Sequence, residues 1–345
     1  MAGGADGGAG PLARFSEQDP FLFGGGLLVW GSMGTLMEPQ VVLTHESDLD
    51  GLVSGLLLQR LARQLFGSEV ALQAYHYQGW KARSLSERTA WVSDFTFEAR
   101  LDRTGWLVVD HHASEAKASQ AQLIHDPAKS ASRLCYELCQ RQGIGSPELD
   151  RIVELTDIGD LFHESHADFV EACDYANLVK SYGFWNLHSL IGGRIEGLLD
   201  HPLLEVMRVK RKVEDPIGFD WAKDHVEALS PEVGLVRPLV GNTNVIVHQL
   251  LERGVTPHAV LATLFKKGNG AFIVSLRSRN GEALKVAAKL DGGGHPNASG
   301  TTLPRSVTDQ ESAMEYLRQQ LNPTPAAQGL NGMEDLLLRW EQTRR

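Results

Sequence analysis

The sequence predicts an α/β chain, with a doubly wound, mainly parallel sheet followed by a smaller α/β unit. Three observations carry that expectation. Short apolar runs alternate with helical stretches. The runs are apolar at every position, as strands covered on both faces must be. Several of them end in acids and imidazoles, at the carboxyl edge where open α/β sheets place their chemistry. Val41-Val42-Leu43 leads into Thr44-His45-Glu46-Ser47-Asp48-Leu49-Asp50-Gly51; Ala90-Trp91-Val92 ends near Asp94; Trp106-Leu107-Val108-Val109 ends in Asp110-His111-His112.

The remaining elements follow in order. Residues 1–39 read as a weakly ordered extension, Gly/Ala-rich with an apolar patch at Phe21–Trp30. Glu17 and Asp19 stand where a signal peptide would carry positive charge, and no small-residue cleavage site follows. Leu52–Phe66 predicts a helix and Val70–Tyr75 a strand. Ser130-Ala131-Ser132 is an N-cap cluster opening an amphipathic helix to Arg141. Helical segments run from Pro147 to Leu229, with breaks expected at Gly192-Gly193, His201-Pro202 and Pro216. The expected organisation is a catalytic domain over 40–204, a connection over 205–232 and a second domain over 233–306. The second domain carries a helix at Val245–Arg253, strands at Ala259–Phe265 and Ala271–Leu276, a helix at Glu282–Leu290 and a strand at Thr301–Leu303. The tail, 307–345, becomes Pro/Ala/Gly-rich beyond Asn322 and ends in a short amphipathic helix, Met333–Trp340.

The chain has 345 residues, enough for two domains that each bury a core, and a formal charge of −10. That balance argues against a protein that coats long DNA and favours short or small anionic substrates. The three cysteines (Cys135, Cys139, Cys173) form no CxxC and suit a reduced, cytoplasmic setting. No segment has the length of a membrane span, so no membrane partner is expected.

The strand-end acids dictate the chemistry. Asp48, Asp50, Asp94 and Asp110 at one sheet edge repel one another unless some stay protonated or cations share them. Oxygen ligands mixed with imidazole suit Mn²⁺, Mg²⁺, Fe²⁺ or Zn²⁺. In a loop beyond the strand, Asp48 and Asp50 can splay toward two adjacent ions. Read more plainly, Asp48 caps the following helix and Asp50 sits in its first turn, which leaves His45 and the other strand ends unexplained. A further acid is expected from Leu155-Thr156-Asp157-Ile158-Gly159-Asp160, where Asp157 and Asp160 share a helical face. In the second domain Gly292-Gly293-Gly294-His295 allows close backbone approach to a phosphate, or is simply a helix stop, and Arg277 ends a strand with a guanidinium suited to phosphate. The basic run Arg208-Lys210-Arg211-Lys212 reads as a solvated helix face, and His76, His163, His166, His188, His248 and His258 lack the acidic strand-end context.

His45-x-x-Asp48-x-Asp50-Gly51, Asp94, Asp110-His111-His112 and Gly292-Gly293-Gly294-His295 resemble the ordered motifs of the DHH phosphoesterases, over residues 40–305. That superfamily includes nanoRNases, 3′-phosphoadenosine-phosphate phosphatases, RecJ-type exonucleases, cyclic-dinucleotide phosphodiesterases and family-II pyrophosphatases. The resemblance implies two divalent ions, Mn²⁺ first, with Mg²⁺, Fe²⁺ or Co²⁺ as alternatives. One would be held by His45, Asp48 and Asp94, and the other by Asp50, Asp94, His111 and Asp157. Asp110 would orient an imidazole, His112 would face the substrate phosphate, and Arg277 with Gly292, Gly293, Gly294 and His295 would hold the rest of the substrate. The implied activity is hydrolysis of short oligoribonucleotides or small nucleotide phosphoesters. Cyclic-dinucleotide hydrolysis or single-strand exonuclease action is the alternative, and a non-catalytic nucleotide sensor the remote one. Implied partners are short single-stranded RNA or DNA or a small nucleotide, not duplex, with a homodimer allowed. Chains of this family commonly begin near the position of Met37, so translation from Met1 or Met37 stays open.

Overall fold

The computed structural model of the chain describes residues 36–267 and 270–322. The expected extension lies almost wholly, and the Met333–Trp340 helix wholly, outside the described residues. The described residues form one compact unit.

The first half runs β1 (Val41–His45), α1 (Leu49–Phe66), β2 (Ala71–Tyr75), α2 (Tyr77–Ala82), β3 (Ala90–Ser93), β4 (Trp106–Asp110), β5 (Gln122–His125), α3 (Ala131–Arg141), α4 (Pro147–Asp160), α5 (Phe169–Tyr182), α6 (Phe184–Leu190) and α7 (Leu203–Lys223). Its five strands are all parallel, in the order β2-β1-β3-β4-β5. Because strand side chains alternate, each run feeds two cores. Val42, Trp91, Leu107 and Val109 pack with leucines of α1, α3 and α4. Val41, Leu43, Val92, Trp106 and Val108 pack on the other face with Trp80, Phe95, Phe97 and Leu101. Both faces are buried, which is why these strands read as unbroken apolar runs. The opposite face is closed by the short α2 and its aromatic neighbours, with Trp80 stacked on Phe95 at 4.2 Å. Neither α2 nor β5 was expected, since both are too short to show a period.

The second half runs β6 (Glu227–Ala228), β7 (Val233–Leu235), α8 (Thr243–Glu252), β8 (Val260–Lys266), β9 (Phe272–Ser278), α9 (Glu282–Ala288), β10 (Gly293–His295), β11 (Ala298–Thr302) and α10 (Gln310–Leu321). Its six-stranded sheet, ordered β10-β11-β9-β8-β7-β6, is antiparallel except between β7 and β8. The last strand begins at Ala298, earlier than its Thr301–Leu303 expectation, because its first residues pair with the glycine-rich β10.

The expected break at Pro216 does not occur: α7 runs through it. Proline in a helix interior costs about 3 kcal/mol, but both halves of α7 are anchored. Leu204 and Met207 sit in the first core, and Phe219 and Ala222 in a core of the second half with Val236 and Ile246. The helix is therefore a strut shared by both halves.

Candidate metal centre and cleft

In the order β2-β1-β3-β4-β5 the connections reverse direction between β1 and β3, the switch point where open α/β sheets leave a crevice at the strand ends. His45 ends β1, Asp94 follows β3, and Asp110-His111-His112 ends β4, all at that edge. Asp94 adopts φ 59°, a left-handed conformation rare for a non-glycine residue, and its backbone N–H still donates to Val109 O at 3.0 Å. The chain thus turns sharply while staying tied to the neighbouring strand.

A hydroxyl layer lies beneath. Thr44 Oγ1 donates to Gly51 O at 2.6 Å, Ser93 Oγ donates to Thr44 Oγ1 at 3.0 Å, and Ser54 Oγ donates to Ser93 Oγ at 3.0 Å. This layer locks the start of α1 against β1 and β3. Position 51 must be glycine, since a Cβ there would lie 2.0 Å from His45 O.

Two donor sets result. His45, Asp48 and Asp94 form one and Asp50, His111 and Asp160 the other, with the offered atoms of each set within 4.8 Å of one another. His45 Nδ1 lies 2.9 Å from Asp48 Oδ2 and 3.5 Å from Asp94 Oδ2. His111 Nε2 lies 3.5 Å from Asp94 Oδ1, 3.5 Å from Asp160 Oδ2 and 3.8 Å from Asp50 Oδ2. Asp94 therefore presents one oxygen to each set. Asp48 serves both readings of its sequence, since its Oδ1 accepts the Gly51 N–H at 3.0 Å as the cap of α1 while its Oδ2 faces His45. Asp50 accepts the Ala131 and Ser132 N–H groups at the start of α3, each at 2.8 Å.

One expectation is revised. Asp157 does not join the second set: its Oδ1 accepts the Ser130 N–H at 2.8 Å, ahead of α3. Asp160, one helical turn later at the end of α4, reaches His111 instead.

The electrostatics are those of a cluster short of positive charge. Burial and the Asp94 charge raise the Asp50 carboxyl to about 7, against the opposing pull of His111. Burial and the Asp50 charge raise Asp160 well above the carboxylate range. Burial works against ionised Asp94, yet the neighbouring His111 and His45 imidazoles hold its pKa below the ordinary value. Burial would lower His111, but Asp94, Asp160 and Asp50 together raise it to about 11. Asp94 Oδ2, Asp160 Oδ2 and His111 Nδ1 are buried and accept or donate no hydrogen bond. Orphaned carboxylate oxygens beside imidazole nitrogen are the donor set a divalent cation fits.

Asp110 is fully buried and accepts the Phe97 N–H at 3.2 Å and the His112 N–H at 3.2 Å. Its Oδ1 also lies 2.8 Å from His112 Nδ1, which fixes that ring and turns its other nitrogen away. His295, from β10, stacks on His112 at 5.3 Å and approaches His111 at 5.2 Å, so the second half of the chain reaches over the strand ends. Burial and the two neighbouring imidazoles push His295 down to about 4.

The crevice opens into a cleft of about 1650 Å³ bounded by both halves. Arg277 lies in its wall, bonded to Leu276 O at 3.0 Å and Asn244 Oδ1 at 3.2 Å, with no carboxylate in ion-pair range among the described residues. Burial lowers it to about 10. Gly292, Gly293 and Gly294 do not line the cleft; the following His295, Pro296, Asn297 and Ala298 do. The glycines serve a hairpin, because Cβ atoms at 292 and 294 would meet Gly300 O at 2.4 Å and Ala298 O at 2.7 Å. Lys180 on α5, also in the cleft wall, was missed by the sequence reading. Its surface is open to solvent, yet desolvation at the cleft wall and the Arg277 charge push its ammonium down, and no local motif announces it.

No family model matches the chain, and no curated protein does. Among solved structures it is similar to the pGpG-specific phosphodiesterase PggH of Vibrio cholerae, with 17% identity over 82% of this chain and 99% of that one and a TM-score of 0.47. An exopolyphosphatase-related protein of Bacteroides fragilis matches at 15% identity over 83% and 93%, TM-score 0.44. RecJ of Thermus thermophilus, solved with Mg²⁺, matches at 16% identity over 82% and 49%, TM-score 0.39.

Proposed function

We propose that this chain is a two-metal phosphoesterase of the DHH type, hydrolysing short oligoribonucleotides or small nucleotide phosphoesters. The observation that carries this reading is Asp94, whose two oxygens face two separate acid/imidazole sets across the switch point of a parallel sheet. His45, Asp48 and Asp94 would hold one divalent ion; Asp50, Asp94, His111 and Asp160 the other. Bound there, a pair of such ions supplies a water of lowered pKa and neutralises charge on the phosphoryl oxygens. Mn²⁺ is the leading candidate because the donors are hard oxygens and imidazoles without thiolate.

The chain's own residues would do the rest. Asp110, held by two backbone N–H groups, fixes the His112 ring through its Nδ1 and leaves Nε2 as the atom that would hand a proton to the leaving oxygen. His295, neutral at physiological pH because of burial, packs on that ring and shields it from water. Arg277, with no carboxylate partner among the described residues, would exchange its neutral partners Leu276 O and Asn244 Oδ1 for a phosphate.

The test is a substrate panel with Mn²⁺: di- to pentaribonucleotides, 3′-phosphoadenosine phosphate, cyclic dinucleotides and pyrophosphate. Preferential turnover of dinucleotides or 3′-phosphoadenosine phosphate supports the reading. Turnover of cyclic dinucleotides alone would move it to the other substrate class. No turnover of any phosphoester with metal bound would leave a sensor.

A further inference from the structure

One face of the second sheet lines the cleft. Along β9 the residues alternate, with Phe272, Val274 and Leu276 in the core and Ile273, Ser275 and Arg277 in the cleft wall. On the paired strand β8, Thr263 stands opposite Ser275 and Phe265 opposite Ile273, and both line the cleft. Helix α8 covers this face only at its start, where Leu261 packs with Ile246 and Leu250. Further along, the Phe265 ring is 64% exposed. A lone exposed phenyl on an outer surface needs no explanation. This one stands in the wall of the cleft into which the strand-end acids open.

Charge says what would lie against it. Several cations of the cleft wall are answered by acids: Arg211 by Asp174, Arg279 by Glu252 and Arg237 by Glu227. Arg277 and Lys267 have no acid in ion-pair range among the described residues. Glu46, whose charge reaches Lys267, is already bound to His76 at 2.8 Å. The ladder sets their order. His295, over the strand ends, pairs with Ala298, Ala298 with Arg277, and Arg277 with Leu261 on β8. Measured from that row at the usual strand rise, Phe265 lies about 13 Å along the sheet and Lys267 about 20 Å. A cation, a bare aromatic ring and a second cation therefore lead away from the acids in turn. Proteins hold single-stranded nucleic acid in that way, with phosphates on the charges and a base on the ring.

We propose that Phe265 is the stacking platform for the base of the nucleotide whose phosphate Arg277 takes, with Lys267 holding the phosphate on the far side of that nucleoside. The proposal rests on the phosphoesterase reading for the chemistry at the strand ends, and it deepens that reading by requiring a base remote from the scissile bond. Ser275 and Thr263, between Arg277 and Phe265 on the same face, offer hydroxyls beside the sugar.

Binding of adenine oligoribonucleotides to the full chain, followed by fluorescence anisotropy with metal chelated, tests this. The probes are diadenylate, the two diadenylate analogues lacking one base or the other, and triadenylate. In the wild type, one of the two missing bases should weaken binding by about 5- to 150-fold, the range found for a lost base–aromatic stack. Phe265→Ala should bind diadenylate no better than that analogue, with an unchanged melting temperature as expected of an exposed position. Phe265→Tyr should keep the wild-type preference. For triadenylate, Lys267→Met should make the slope of log affinity against log salt shallower by about 0.7, one phosphate contact on a single strand. Phe265→Ala should leave that slope as it is. A wild type indifferent to both missing bases overturns the proposal, as does a preference that survives Phe265→Ala or a slope that survives Lys267→Met. Since nothing is cleaved in this measurement, a chain that hydrolyses no phosphoester would sink the phosphoesterase reading and still give an answer about Phe265.

Discussion

Two groups of buried aspartates lie in this chain, and the protein treats them differently. On the seam between α5 and α7, Asp174 receives Arg211 in a bidentate pair at 2.8 and 3.1 Å, and Asp215 accepts the Asn242 N–H at 2.7 Å. At the strand ends Asp50, Asp94 and Asp160 crowd around two imidazoles, and two of their oxygens have no hydrogen-bond donor. The first group is complete with protein atoms alone, whereas the second calls for cations. Burial alone therefore says little about function; the informative quantity is whether the buried charge is satisfied.

Four substitutions sharpen that contrast, in order of decreasing effect. His112→Ala should lower kcat by about 10²–10⁴-fold, the usual worth of a positioned acid or base. Metal content measured by elemental analysis should stay unchanged, because His112 belongs to neither of the two sets that Asp94 faces. If His112→Ala loses metal, its role and that of His111 are exchanged.

Arg211→Met should cost about 3–5 kcal/mol in denaturant unfolding, since it strands the buried Asp174 charge. Metal affinity at the strand ends should not change. A neutral outcome for stability would mean that Asp174 finds another partner, and the seam would not be the self-contained pair described above.

Arg277→Met should cost on the order of 1.5–3 kcal/mol in kcat/KM on a dinucleotide, roughly ten- to a hundred-fold, as for a lost charge-assisted contact. A nitrophenyl phosphoester, too small to span the cleft, should be nearly indifferent. Equal losses on both substrates would put Arg277 at the scissile phosphate.

The smallest effect concerns Arg60–Glu196, a bidentate pair at 2.7 and 2.8 Å joining α1 to the turn before α7. Its hydrogen bonds to Arg60 hold the Glu196 carboxyl below its ordinary value. The folded state thus binds that proton more weakly than the unfolded state. The pair's contribution is complete above the unfolded pKa of about 4.3 and is lost as pH falls through the lower folded value. Glu196→Gln should cost about 1 kcal/mol or less at neutral pH, given partial exposure. The melting-temperature gap to wild type should close in acid; a constant gap would show that packing, not charge, holds the contact.

The parallel sheet was legible because buried strands leave unbroken apolar runs, and Val109-Asp110-His111 ends one such run at the carboxyl edge of the sheet. The clustering of His45, Asp48, Asp50, Asp94 and His111 followed from that edge. Choosing between Asp157 and Asp160 did not, because the phase of a helix end depends on packing: the Ser130 N–H, distant in sequence, takes Asp157 and leaves Asp160 for the cluster. The glycine run at 292–294 suggested phosphate approach, but its requirement comes from β11, whose backbone leaves no room for a Cβ. Lys180 stands in a plain helical stretch, and its place in the cleft is set by how α5 packs. Pro216 looked like a break because the burial anchoring both sides of it is invisible in sequence.

If Asp94 joins two metal sites, Mn²⁺ stoichiometry by calorimetry on wild type and Asp94→Asn shows it directly. The wild type should bind two ions per chain. In the variant neither ion should be held tightly, and metal-free thermal stability should fall, because the Asp94 charge is favoured in the fold by His111 and His45. Two ions retained at wild-type affinity in Asp94→Asn would contradict that bridging role.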